Sequence, residues 1–199
     1  MRIILDFDDF SEVRSELHYL YRLRARFPKF KVTLFAPPMK SSAQFLHVVS
    51  LLDWVQLAVH GWEHNGKECL EWTRKETIGY LRSAQRLGVF VKGFKAPHWS
   101  ITPAVYDACR DEGYWVADNS ERQATAPTIP QDVKIYYSNG RRLSHGALIK
   151  GTDYERQHGH ISWVAGVNND IKLMMNDLLM LPADTEFVFI DDVIKEQYG

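Results

Sequence analysis

Residues 55–64 read Val-Gln-Leu-Ala-Val-His-Gly-Trp-Glu-His. The run Val55–Val59 is short and mostly apolar, the pattern of a strand buried in a parallel sheet. It passes without a break into His60-Gly61. Outward from this point the same unit recurs. Arg2–Phe7 is a strand rich in Ile and Leu. Ser11 is a candidate N-cap for a helix to about Arg26, with Leu17, Leu20, Tyr21 and Leu23 at helical spacing and Phe27-Pro28 as its stop. Lys31–Ala36 is a strand closed by Pro37-Pro38, and Ser41 or Ser42 opens a helix to about Leu52. Thr73 followed by Glu76 is a capping box, and its helix runs to Leu87 before Gly88. Then come a strand at Val89–Phe94, a helix from Thr102-Pro103 to near Gly113, and a strand at Tyr114–Ala117.

Beyond a polar, Pro-containing loop from Asn119 to Pro130, Val133–Tyr137 and Ala147–Ile149 are weaker strands. Asn168 caps a helix through Leu181, and Glu186–Ile190 is the last strand. This alternation predicts a parallel α/β protein. Its 199 residues suit one domain. With 24 basic and 25 acidic residues the net charge is −1, which argues against a broad nucleic-acid surface. No run approaches the roughly 18–20 apolar residues of a membrane helix. The apolar run at the start is cut by Asp6, so no signal peptide is read there. Cys69 and Cys109 form neither a CxxC pair nor a disulfide framework, which leads to the expectation of a reduced, cytoplasmic protein.

Catalytic groups of parallel α/β proteins gather at the carboxyl ends of the strands. Here Asp8 and Asp9 follow the first strand, His60 and His64 the third, Lys95 and His98 the fourth, and Asp118 the fifth. His158 and His160 lie on a late strand-like segment. Singly, an acidic pair after a strand is an N-cap region and a surface histidine is only polar; together they converge on one rim. His60 and His64, at i and i+4, can face one metal if the segment is a helical turn. Asp9 is the candidate third ligand, and two His with one carboxylate make a catalytic divalent site with open positions. Asp8 is then available as a base. The same five residues also match HxxEH, in which a helix supplies His60 and His64 as ligands and Glu63 as base. Gly61 and the preceding strand disfavour that helix.

Phe7-Asp8-Asp9, His60-x-x-x-His64, Lys95-Ala96-Pro97-His98 and His158-Gly159-His160 occur in the order of the motifs of polysaccharide deacetylases of the NodB-homology type (carbohydrate esterase family 4-like), which the chain resembles. The resemblance implies an α/β fold, a distorted (β/α) barrel with fewer than eight strands in a single domain over 1–199. It implies one divalent ion, zinc first, with Co, Ni, Fe or Mn also compatible. The implied reaction removes N-acetyl groups from an N-acetylated sugar or glycan. By the same resemblance Asp8 is the general base and Asp9, His60 and His64 hold the metal. Lys95 stands where an arginine orients the base, with Asp118 as its expected partner. The backbone N–H of His98 is the oxyanion donor. His160 is the expected general acid, with His158 as the alternative.

Trp62, Trp99, Trp115 and Trp163 are placed to stack on sugar rings, against their ordinary reading as packing. Phe10 in place of Gly, Lys95 in place of Arg and His98 in place of an aromatic mark a divergent branch. A point charge does not reproduce a bidentate guanidinium. Two further readings stand beside the deacetylase: a noncatalytic glycan-binding domain, and a zinc metallohydrolase using HxxEH.

Overall fold

The computed structural model describes residues 2–119, 128–138, 154–161 and 170–199. Trp163, the Ala147–Ile149 strand and the Asn168 cap lie outside these residues. Strands β1 (Arg2–Asp8), β2 (Val32–Ala36), β3 (Val55–His60), β4 (Gly93–Lys95), β5 (Trp115–Asp118), β6 (Ile135–Tyr137) and β7 (Tyr154–His160) form one path in the order β6-β5-β4-β3-β2-β1-β7. A short β8 (Glu186–Val188) is attached to β1 off this path. Every pairing is parallel. The seven-stranded path curls into a distorted, open α/β barrel flanked by α1 (Leu17–Arg26), α2 (Ala43–Ser50), α3 (Glu68–Glu71), α4 (Arg74–Arg86), α5 (Pro103–Asp111), α6 (Asp170–Leu179) and α7 (Ile190–Tyr198). No described helix is long and apolar enough to cross a membrane.

β1 organises the molecule. Its whole length pairs with β7, while β8 pairs Arg2–Ile4 and β2 pairs Asp6–Phe7 along the other edge. Side chains alternate across it. Ile3, Leu5 and Phe7 join the outer core beneath the helices. Ile4 faces the barrel interior with Phe35, Ala58, Trp115, Ala117 and Tyr136. Asp6 and Asp8 continue that inner face. Ile190, Val193 and Ile194 of α7 close the same inner cluster. The α7 start abuts the amino ends of β2 and β3, where Ile190 N–H donates to Thr33 Oγ1. The candidate site residues lie at the opposite, carboxyl-end rim.

The capping box forms as expected: Thr73 N–H donates to Glu76 at 2.8 Å and Glu76 N–H returns to Thr73 Oγ1 at 3.3 Å. Ser42, of the two candidates, caps α2 by accepting from Phe45 N–H. Ser11 does not cap α1. Residues 11–16 form a loop, because Ser11 and Arg14 exchange backbone hydrogen bonds and Glu12 is tied to Ser41 and Ser42. The strand expected at Val89–Phe94 narrows to Gly93–Lys95, and the last strand stops at Val188, where α7 takes over. Cys69 and Cys109 are buried and free.

Candidate metal centre and active site

The rim is built by chain reversals at the strand ends. On an extended strand adjacent side chains point to opposite faces. Asp9 leaves β1 with φ of 64°, a left-handed backbone that turns its carboxylate back towards the rim. Gly61 (φ 62°) and His64 (φ 59°) reverse the chain after β3 in the same way. Buried Glu68 holds this loop: its Oε1 accepts from Trp62 N–H at 3.1 Å and His64 N–H at 3.0 Å, and its Oε2 accepts from Glu63 N–H at 3.0 Å. A Cβ at Gly61 would fall 1.9 Å from Glu68 Oε1, so only glycine fits.

This loop is not a helical turn, and the HxxEH reading is corrected on that ground. Donation to Glu68 keeps residues 62–64 from helical pairing, and Glu63 is exposed. His60 and His64 converge through a strand end and a loop rather than through helical spacing.

Asp9, His60 and His64 each offer a ligand atom within 4.8 Å of the others. Asp9 Oδ1 lies 2.7 Å from His64 Nε2 and 3.5 Å from His60 Nε2. That oxygen is buried and has no aligned hydrogen bond. His60 Nδ1 sits 3.0 Å from the Lys95 carbonyl, which aims Nε2 at the cluster, the usual outer support of a ligating histidine. A buried carboxylate oxygen facing two imidazole nitrogens fits a borderline divalent cation. Burial works to raise the Asp9 carboxyl, but His60 and His64 outweigh it and hold it well below its ordinary value.

A second buried cluster adjoins the first. Lys95 is fully buried, with Nζ 2.8 Å from Asp8 Oδ1 and 3.2 Å from Asp6 Oδ1. The Asp8 contact is an ion pair without hydrogen-bond alignment. The ammonium also lies 4.6 Å from the Phe35 ring and 4.3 Å from the Trp99 ring, within cation–π range. Asp6 Oδ1 is 2.7 Å from His158 Nδ1, and His158 Nε2 is 3.5 Å from Asp8 Oδ2. Against the upward push of burial, Lys95 and then the histidines hold the Asp8 carboxyl down to about 2, so it is ionised at neutral pH.

Asp118 is not the partner of Lys95. It accepts from Tyr106 Oη at 2.5 Å and from Asn119 N–H, so its carboxylate is engaged on the α5 side of β5. Asp6, one strand turn before Asp8, takes the place expected of Asp118. Its signal in the sequence was a second charge two residues before Asp8, on the same strand face, in an otherwise apolar run. Asp170 and Glu68 were likewise missed, and no fixed spacing announces either.

His160 Nδ1 lies 3.0 Å from Asp170 Oδ2, which also accepts from the His160 backbone N–H at 2.8 Å. Burial lowers the imidazole, and the Asp170 hydrogen bond with the Asp8 and Asp9 charges more than reverses this, leaving the His160 pKa raised. His98 has a left-handed backbone (φ 55°) and a ring 5.8 Å from that of His64. Trp99 stands edge-on to His158, ring centroids 5.5 Å apart. Trp62 packs instead against Tyr80, tilted by 31° with 5.3 Å between centroids. Trp115 is buried in the inner core with Nε1 donating to Asp191, so it presents no face to a ligand.

No protein-family model matches the chain, and no curated protein is similar to it in sequence. Its architecture does match solved structures. A family 4 acetyl xylan esterase from Clostridium thermocellum, in complex with a cobalt ion, superposes with a TM-score of 0.64 at 12% identity over 99% of this chain and 92% of that one. The chitin deacetylase of Colletotrichum lindemuthianum gives 0.61 at 13% identity over 96% and 86%. The 4-alpha-glucanotransferase of Thermococcus litoralis gives 0.67 at 11% identity, but there the chain spans 98% of itself and only 40% of the other. The chain thus shares the fold of family 4 carbohydrate esterases and polysaccharide deacetylases. At these identities the likeness is one of fold.

Proposed function

We propose that the protein is a divalent-metal-dependent hydrolase that removes N-acetyl groups from a carbohydrate or related amide, in a divergent branch of the polysaccharide deacetylases. The observation that carries this reading is the pair of adjoining clusters: Asp9, His60 and His64 around one point, with ionised Asp8 beside them on the Lys95 ammonium. Asp9, His60 and His64 would hold the ion. Zinc is the first candidate, and the cobalt of the acetyl xylan esterase structure belongs to the same group of metals. When bound, such an ion polarises the acetyl carbonyl and acidifies water.

The chain's own residues do the rest. Asp8 accepts the proton of the attacking water. Lys95 keeps Asp8 charged and fixed in place. The His98 backbone N–H faces the developing oxyanion. His160, with Nδ1 committed to Asp170, passes a proton through Nε2 to the departing amine, and His158 supports the base from the Asp6 side. Trp99 forms the wall over Lys95 and His158.

The test pairs metal content with acetate release from N-acetylated sugars. Asp8→Asn should keep stoichiometric metal and lose roughly 10²–10⁴-fold in rate, the usual contribution of a general base. Asp9→Asn and His60→Ala should lose the metal. Full metal in His60→Ala overturns the ligand set. Bound metal in the parent with no acetate from any N-acetylated sugar favours the noncatalytic glycan-binding reading.

A further inference from the structure

We infer that the substrate carries an anionic group, a carboxylate or phosphate, held by Arg14 and Lys40 beside the Asp9–His60–His64 cluster; this rests on the function proposed above and names its substrate class. A cavity of about 250 Å³ opens directly against the cluster and is lined by Asp9, Ser11, Val13, Arg14, Pro37, Lys40 and His64. Two of its walls are cationic. Its one carboxylate is Asp9, already facing two imidazoles.

The placement of both cations is built into the backbone. Ser11 and Arg14 exchange hydrogen bonds in both directions, at 3.1 and 2.9 Å, which folds the loop after β1 into a tight reversal. Lys40 ends a 3₁₀ turn, Pro38–Lys40, that is pinned to the metal loop by Met39 N–H donating to the Trp62 carbonyl at 3.1 Å. Arg14 therefore comes to the rim on the loop that carries Asp9, and Lys40 on a neighbouring turn tied to the loop that carries His64.

Two acidic residues of the same loop are already engaged. Glu12 accepts from Ser42 N–H at 3.0 Å, and Glu16 faces His18 at 3.5 Å. Neither Arg14 nor Lys40 forms an ion pair among the described residues. The chain as a whole carries a net charge of −1, so this is a local concentration of positive charge and not the overflow of a basic protein. With a divalent ion in place the cavity would present three positive groups against one carboxylate. A neutral acetylated polymer offers such a wall only hydroxyl and amide oxygens, whereas an anionic substituent forms the stronger charge-assisted bonds on two sides. The arginine can grip it as a fork and the lysine as a point charge.

The experiment measures binding to the metal-loaded protein by calorimetry, with acetate release followed separately. The probes are N-acetylglucosamine 6-phosphate, N-acetylmuramic acid and neutral N-acetylglucosamine. The proteins are the parent, Arg14→Gln, Lys40→Gln and the double variant, each checked for metal content and melting temperature.

The expected result is that one or both anionic sugars bind at least tenfold tighter than the neutral one. Each single variant should lose about tenfold for the anionic sugar only, and the preference should shrink as salt rises. Whichever of the two anionic sugars leads identifies phosphate or carboxylate. Equal binding of anionic and neutral sugars overturns the inference. So does an anionic preference that survives intact in the double variant, because the metal would then be its source. Selective anion binding without acetate release sustains the inference and removes the deacetylase reading. Acetate release that ignores both the charge of the sugar and the variants does the reverse.

Discussion

Asp6 and His158 are register partners on the adjacent strands β1 and β7, and their side chains lie side by side on the inner face with Oδ1 2.7 Å from Nδ1. Lys95 Nζ lies 3.2 Å from the same Nδ1, and Nε2 is turned to Asp8. Asp6 Oδ1 also lies 3.2 Å from Lys95 Nζ. Asp6→Asn keeps the shape and removes the charge shared by Lys95 and His158. The expected outcome is a loss in kcat on the order of 10–100-fold, as for other outer-shell partners, with KM and metal content unchanged. Steady-state kinetics with elemental analysis checks it.

Lys95→Met removes the ammonium that Asp6 and Asp8 share in a buried site and leaves them only the His158 imidazole. Removing one partner of a buried ion pair costs about 3–5 kcal/mol. The variant should therefore unfold at distinctly lower urea concentration, and the double variant Lys95→Met/Asp6→Leu should recover part of the loss. Equilibrium urea unfolding of both reads the difference.

Glu68 touches no ligand nitrogen, yet three backbone N–H groups of the loop carrying His64 converge on it. Glu68→Gln loses the charge and one accepting oxygen. Zinc affinity should fall by roughly 10–100-fold, while His60, held on β3, keeps its place. Competition with a chromophoric chelator measures this directly.

The raised His160 pKa predicts an effect on the alkaline limb of the rate profile. A general acid works while protonated, so a raised value extends activity to higher pH. Asp170→Asn removes the largest raising influence, and the alkaline limb should move to lower pH. The acid limb, assigned to Asp8 in the proposed mechanism, should stay where it is. The pH dependence of kcat for parent and variant decides the matter, and an unmoved alkaline limb would point to His158 as the acid.

Much of the framework is legible in the sequence, and the reasons are local. Val55–Val59 and Arg2–Phe7 are apolar runs that only a two-sided buried sheet accommodates, and both are strands. Thr73 and Glu76 satisfy each other within one turn, so their helix start depends on nothing distant. Ser11 has the right chemistry for a cap, but Glu12 is bound by Ser41 and Ser42 some thirty positions away, and that long-range tie decides the loop. The site divides along the same line. Asp8, Asp9, His60, Lys95 and His160 stand at or just beyond strand ends, where position alone drew attention. The partners that orient them, Asp6, Glu68 and Asp170, are defined by contacts across strands and loops that no spacing encodes.

Arg156 has a consequence for how the barrel opens. Among the described residues β7 and β6 share no ladder. The Arg156 side chain spans the gap instead, donating to the Tyr137 carbonyl at 2.5 Å with its guanidinium 5.2 Å from the Tyr136 ring. Among the described residues one flank of β7 is thus zipped to β1 over seven register pairs, while the other is held by the Arg156 side chain. Native-state hydrogen exchange is governed by the cheapest opening available to each amide. Amides of β6, whose ladder is with β5 alone among the described residues, should exchange well before those of β1, and Arg156→Ala, by releasing the outer flank of β6, should speed β6 exchange while leaving β1 protection intact. The histidines of β7 travel with β1, so the barrel can breathe at its seam without unmaking the arrangement of charges at its rim.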